Sequence, residues 1–133
     1  MDVVDPIVDL ILRRHGFSEL NPVQRAAAVH VLSGSNVVVS SPTASGKTVI
    51  AEMAILRALK LGRKAVYTCP LSALASEHYR EFRELYPEYR VALSVGDFDS
   101  ADLWAKDYDV IFTTYEKLDS IVRHGAPWLS DVG

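Results

Sequence analysis

The segment Ser41-Pro42-Thr43-Ala44-Ser45-Gly46-Lys47-Thr48 carries the clearest chemistry in the chain. Its spacing is that of a phosphate loop, Gly-x-x-x-x-Gly-Lys-[Ser/Thr], with Ser41 in place of the first glycine. Small residues let the backbone curl so that several N–H groups point at a polyphosphate. Gly46 permits close backbone approach. The Lys47 ammonium suits the β- and γ-phosphates, and the Thr48 hydroxyl suits Mg2+. A helix starting here would aim its positive N-terminal dipole at the same anion. Thr43, Ala44, Ser45, Gly46, Lys47 and Thr48 are therefore candidate nucleotide-binding residues, with Thr48 the candidate metal ligand. A chance Gly-Lys-Thr is commonplace, but the β-branched Val37-Val38-Val39 before it and the apolar helical pattern after it are not.

No other residue class assembles a reaction centre. Cys69 is the single cysteine, which excludes an internal disulfide framework and a cysteine-built zinc site. It makes a reducing cytosol the default compartment, so a cytoplasmic protein is expected. Cys69 itself reads as a buried strand residue. His15, His30, His78 and His124 lack metal-ligand spacing and receive no chemistry. Asn21-Pro22-Val23-Gln24 reads first as a helix start, with Gln24 an exposed side chain.

The elements that must position these residues follow from periodicity and punctuation. Asp5-Pro6 opens a helix through Ile7, Val8, Leu10, Ile11 and Leu12, with Arg13, Arg14 and His15 in its last turn and Gly16 as its stop. Asn21-Pro22 opens a second helix over 23–32. Val37-Val38-Val39 reads as a short buried strand, and 49–61 as a buried helix closed by Gly62. Residues 64–69, 91–95 and 109–114 read as further strands. Between the first two lies a helix with Leu71, Leu74, Ala75, His78, Tyr79, Phe82 and Leu85 at helical spacing, so Leu71 and Leu74 are expected in the core. A short helix over 100–106 and a last one over 115–123, closed by Gly125 and Pro127, complete the pattern. Repeated strand–helix units imply an α/β fold, a parallel sheet with helices on both faces, in one structural unit. Ligands in such sheets bind at the carboxyl ends of strands.

Composition narrows the function classes. With 49% hydrophobic and 23% charged residues, the 133-residue chain can bury a core, which excludes intrinsic disorder. Its apolar runs are too short to cross a membrane, and Met1-Asp2-Val3-Val4-Asp5 lacks the basic start of a secretion signal. A net charge of −3 excludes nucleic-acid affinity from bulk positive charge, leaving only placed contacts.

Several segments, in order, resemble the motifs of superfamily 2 helicases. Phe17-Ser18-Glu19-Leu20-Asn21-Pro22-Val23-Gln24 is similar to the Q motif, and residues 41–48 to motif I. Tyr67 through Glu77, including Pro70-Leu71-Ser72, resembles motif Ia. Gly96-Asp97 resembles the Gly-Asp element after the third strand, and Thr113-Thr114-Tyr115-Glu116-Lys117 resembles motif Ib. Trp128 also stands where this group often has tryptophan. The pattern resembles the Ski-like branch, especially archaeal Hel-type DNA repair helicases, over nearly the whole chain.

The resemblance implies a P-loop RecA-like domain over residues 35–133, preceded by a helical segment, 1–34, carrying the Q motif. It implies ATP and Mg2+ as cofactors, with Gln24 on the adenine edge, whose N6 and N7 match an amide, and Phe17 packed near the base. It implies that Pro70, Leu71, Ser72, Gly96, Asp97, Thr113 and Thr114 face single-stranded nucleic acid, DNA over RNA, with movement 3′ to 5′. A second RecA-like domain would be a partner. Ser72 departs from the arginine common in motif Ia, removing a fixed positive charge. Glu116 and Lys117 also read as a solvated helix start.

The family places an Asp-Glu pair, motif II, after a strand of aliphatic residues that would begin just where Asp131-Val132-Gly133 ends, and this sequence has no Asp-Glu dipeptide. The expectation is therefore the front part of a first RecA-like domain, incomplete in its sheet, that binds ATP but turns it over negligibly. The motif II and III strands would flank the phosphate-loop strand, so unpaired edges and self-association are expected. Two alternatives stand beside it: a non-catalytic module binding nucleotide or protein through the same surface, and a small phosphotransferase. The latter needs lid arginines and an acceptor site, which the scattered arginines do not suggest.

Overall fold

The structure, a computed structural model, describes residues 6–39, 46–94, 107–123, 125 and 130–133. Expectations for Thr43, Ala44, Ser45, Gly96, Asp97, Trp128 and the short helix over 100–106 fall outside these residues. Two compact units appear, Met1–Arg57 and Ala58–Gly133. The division lies within a helix.

In the first unit, α1 (Pro6–His15) buries Ile7 and Ile11, one helical turn apart. It ends where the sequence indicated. Gly16 takes φ +74°, and the Phe17 amide donates to the Leu12 carbonyl at 2.9 Å, a Schellman-type closure. Helix α2 (Pro22–Leu32) opens on a complete capping box: the Gln24 amide donates to Asn21 Oδ1 at 2.8 Å, and the Asn21 amide to Gln24 Oε1 at 2.9 Å. Helix α3 (Lys47–Lys60) begins at the phosphate loop. It buries Val49, Ile50, Glu52, Met53, Ile55, Leu56 and Ala58.

The expected strand at Val37-Val38-Val39 does not form. Residues 35–39 are irregular, and Val38 is 97% exposed. A β-branched run becomes a strand only when a ladder partner satisfies its amides and carbonyls, and no described strand pairs with it.

The second unit holds a three-stranded parallel sheet of β1 (Ala65–Cys69), β2 (Val91–Ser94) and β3 (Val110–Thr114), ordered β1-β3-β2. Its central strand, β3, is buried from Val110 through Thr113, as a strand flanked on both sides requires. Tyr67, Phe112 and Leu93 share one rung of the ladder. Helix α4 (Ser72–Leu85) packs on all three strands, and α5 (Tyr115–Arg123) contacts β1 and β3. The rings of Tyr67, Tyr79 and Phe82 gather around Phe112, so this is the face that α4 covers. Before β1, Lys64 forms an isolated parallel bridge with Val132: its amide donates to the Asp131 carbonyl at 2.7 Å, and its carbonyl accepts from the Gly133 amide at 2.8 Å.

Leu71 and Leu74, expected in the core, are 61% and 37% exposed. The buried face of α4 begins only at Ala75 and continues at Phe82. Its first turn lies where no described residue covers it, although the apolar stripe is continuous in sequence.

Cys69 is buried at the end of β1, and burial pushes its thiol up, because a thiolate there would lose hydration. The unfolded chain therefore ionises at Cys69 before the folded one. The associated stability is intact below the unfolded thiol's value of about 8.5, and it is lost as pH rises through the higher folded value. Iodoacetamide at pH 8 is expected to label Cys69 at least about tenfold more slowly in the native chain than in urea. Equal rates would refute the buried placement.

Candidate nucleotide-binding site

The site is built on the first turn of α3. Gly46 precedes the helix with φ +85°, a conformation that side chains oppose. Lys47 is exposed and Thr48 half-buried in the first turn, where α3 presents its orphan amides and positive dipole.

Gln24 is 4% exposed, not the exposed side chain of a bare helix start. Its Oε1 completes the capping box with Asn21, and its Nε2 donates to the Gly46 carbonyl at 3.3 Å. These bonds use one of the two carbonyl lone pairs and one of the two amide hydrogens. A Cβ at Gly46 would lie 2.1 Å from Gln24 Nε2 and 3.1 Å from Asn21 Nδ2. The glycine is therefore what lets the helix start of α2 close onto the phosphate loop. The three-residue spacing from Asn21 to Gln24 is a capping-box signature, a readable signal that the sequence reading did not use.

Phe17 stands at 48% exposure, its ring stacked on His15 with centroids 5.0 Å apart and an interplanar angle of 11°. His15 Nε2 lies 2.8 Å from Glu52 Oε1 of α3. The sequence reading missed this pair, and no spacing rule links residues so far apart.

The site suits a nucleoside triphosphate: a glycine at the close-approach position, a lysine and a hydroxyl in one helical turn, and an aromatic face. Thr48 offers a metal ion one oxygen. Among the described residues no cluster of three or more histidine, cysteine or acidic side chains could hold a metal alone.

The expected nucleic-acid residues belong to the second unit. Cys69 and Thr114 are ladder partners, so the segments after β1 and β3 leave the sheet side by side. Pro70, Leu71 and Ser72 are exposed there, and Leu71 at the N-cap of α4 brings no side-chain acceptor. Thr114 is half-buried, and its Oγ1 accepts from the Lys117 amide at 3.2 Å, capping α5. Thr113 is fully buried in the central strand, its hydroxyl donating to the Ser94 carbonyl at 2.6 Å. Lys117 is also buried, so the reading of Glu116-Lys117 as a solvated helix start holds only for the exposed Glu116.

Comparison with known proteins gives a consistent picture. The DEAD/DEAH box helicase family matches residues 21–133. The chain is 47% identical over 133 residues to the ATP-dependent DNA helicase Hel308 of Pyrococcus horikoshii, covering 97% of this chain and 18% of that protein. It is 50% identical over 125 residues to Hel308 of Pyrococcus abyssi, covering 92% of this chain and 18% of the relative. Hel308 of Methanocaldococcus jannaschii is 44% identical over 139 residues, with 97% and 12% covered. Among solved structures, the DUF1998 helicase MrfA superposes with a TM-score of 0.78 at 27% identity, over 98% of this chain and 22% of that one. A hypothetical ATP-dependent RNA helicase from Sulfolobus tokodaii gives 0.73 at 25% identity, over 97% and 40%. The chain spans 12–18% of the length of the curated relatives it matches.

Proposed function

Since the chain belongs to the DEAD/DEAH box helicase family, we propose that it is the nucleotide-gripping part of an ATP-dependent helicase that acts on DNA. The observation that carries this reading is the Gly46–Lys47–Thr48 turn at the head of α3, held through the Gln24–Gly46 bond. Lys47 binds the β- and γ-phosphates, and α3 directs its N-terminal amides at them. Thr48 holds Mg2+, which when bound screens the phosphate charge. Phe17 packs on the base, and the remaining amide hydrogen and lone pair of Gln24 meet the adenine edge. The DNA preference rests on relatives at 44–50% identity named as DNA helicases, against 25% for the hypothetical RNA helicase of Sulfolobus tokodaii. Exposed Pro70, Leu71 and Ser72, with Thr114, form the strand-facing edge, positioning a single strand through its phosphates. By motif resemblance, Gly96 and Asp97 share the nucleic-acid-contacting role. A second RecA-like domain is the partner that completes the motor.

Hydrolysis needs a carboxylate to complete the metal site and a group to orient the attacking water. The sequence holds no Asp-Glu pair to supply them. ATP binding measured calorimetrically with Mg2+ is therefore expected in the 133-residue chain, with turnover at background. Lys47→Ala should weaken that binding at least about tenfold, the scale of one charge-assisted contact. Absence of binding would refute the nucleotide site, and turnover abolished by Lys47→Ala would refute the division of labour.

A further inference from the structure

A buried link joins the aromatic face of the site to the phosphate-loop helix. The Schellman turn at Gly16 folds the chain back so that the Phe17 ring lies nearly parallel to the His15 imidazole. The imidazole is fixed at its far edge by Glu52, 2.8 Å away and 4% exposed. Glu52 follows Thr48 by four residues, so both lie on one face of α3. A carboxylate this buried is retained where hydrogen-bond donors meet it, and the His15 ring nitrogen stands at hydrogen-bond distance from it. A half-exposed phenylalanine on a helix end is ordinarily free to change rotamer; stacking on an anchored ring removes that freedom. An aromatic surface held in place binds a base better than a mobile one, since less side-chain entropy is lost on contact.

We propose that His15 and Glu52 are positioning residues for nucleotide recognition: Glu52 locks the His15 ring, which holds Phe17 as the platform for the base. Neither touches the nucleotide; both act through Phe17. The inference rests on the ATP site proposed above and deepens it. It also makes base binding and phosphate-loop placement mechanically joined, because the lock is a residue of α3 one turn beyond Thr48.

The test compares ATP with inorganic tripolyphosphate, both with Mg2+, on the full chain. Tripolyphosphate reads the phosphate loop without the base. His15→Ala and Glu52→Leu should each weaken ATP binding about tenfold, within the range that base–aromatic stacking supplies, with tripolyphosphate affinity unchanged within about twofold. Glu52→Gln, which keeps an acceptor oxygen, should retain most of the ATP affinity. Phe17→Ala should lose as much as His15→Ala, and the double variant no more, as expected for residues acting as one unit. Unchanged ATP affinity in His15→Ala would overturn the proposal. So would equal losses for ATP and tripolyphosphate, the mark of a general structural role. A wild-type chain that binds tripolyphosphate and ATP equally overturns the platform alone; one that binds neither overturns the nucleotide site itself.

Discussion

Gly46→Ala is expected to lower ATP affinity by more than about tenfold and to destabilise the chain by about 2 kcal/mol. Two separate effects add at this position. The backbone at φ +85° disfavours any side chain, by about 1 kcal/mol. The added methyl also meets Gln24, with Nε2 at 2.1 Å and Cδ at 3.0 Å. A flexible amide on the surface would simply rotate away. Gln24 cannot do so without breaking the capping box at Asn21, because the same amide supplies both contacts. Losing a cap alone costs about 1 kcal/mol. Either the loop backbone moves, displacing Lys47 and Thr48, or the start of α2 opens. Gly62→Ala is the matched control: φ is +76°, but nothing lies within 4 Å of the added carbon. It should show only the backbone effect in urea denaturation and leave ATP affinity intact. If the two variants behave alike, the contact between Gln24 and Gly46 has no energetic weight.

How much of this was legible in the sequence depended on the range of the interaction. The ends of α1, α2 and α3 follow from Pro6, Gly16, Pro22 and Gly62, whose backbone preferences act within one turn. The strands β1, β2 and β3 were legible as short apolar runs between punctuating residues. Val37-Val38-Val39 has the same local signature, yet strand formation there depends on a partner that local sequence cannot specify. Leu71 and Leu74 fail for a related reason: periodicity tells which face of α4 is apolar, but not how far the sheet reaches beneath it. Within the site, Gly46, Lys47 and Thr48 were found because the phosphate loop is contiguous. The bond from Gln24 to Gly46 and that from His15 to Glu52 cross between helices, and only the folded chain brings them together. Thr113 and Thr114 are adjacent and chemically identical, so the motif could not separate them; the first is buried within the central strand, and the second, at the strand's end, caps α5.

Phe112→Ala should have the largest effect on stability of any single change, about 3–5 kcal/mol. Phe112 is central in β3, the strand flanked on both sides, and is 1% exposed. Its ring lies 5.2 Å from Tyr67, 5.8 Å from Phe82 and 6.4 Å from Tyr79, so one residue joins two strands and α4. Truncation removes its own buried surface and the aromatic pairings together, and leaves a cavity that β1 and α4 cannot both close. Single domains of ordinary stability have only about 5–15 kcal/mol in total, so the variant should lose most of its cooperative unfolding transition. Phe112→Leu keeps much of the volume and should cost about 1–1.5 kcal/mol, which separates cavity formation from the loss of ring contacts. Urea denaturation followed by far-ultraviolet circular dichroism reads both variants, and a loss below about 1.5 kcal/mol in Phe112→Ala would show that this cluster is not the keystone of the sheet. The consequence reaches the proposed strand-facing edge. Cys69 and Thr114 are paired at the strand ends, so the spacing between Ser72 and Thr114 depends on the same ladder that Phe112 anchors. A Phe112→Leu chain that remains folded yet binds single-stranded DNA several-fold more weakly would show that the placement of these contacts, rather than their charge, sets the affinity.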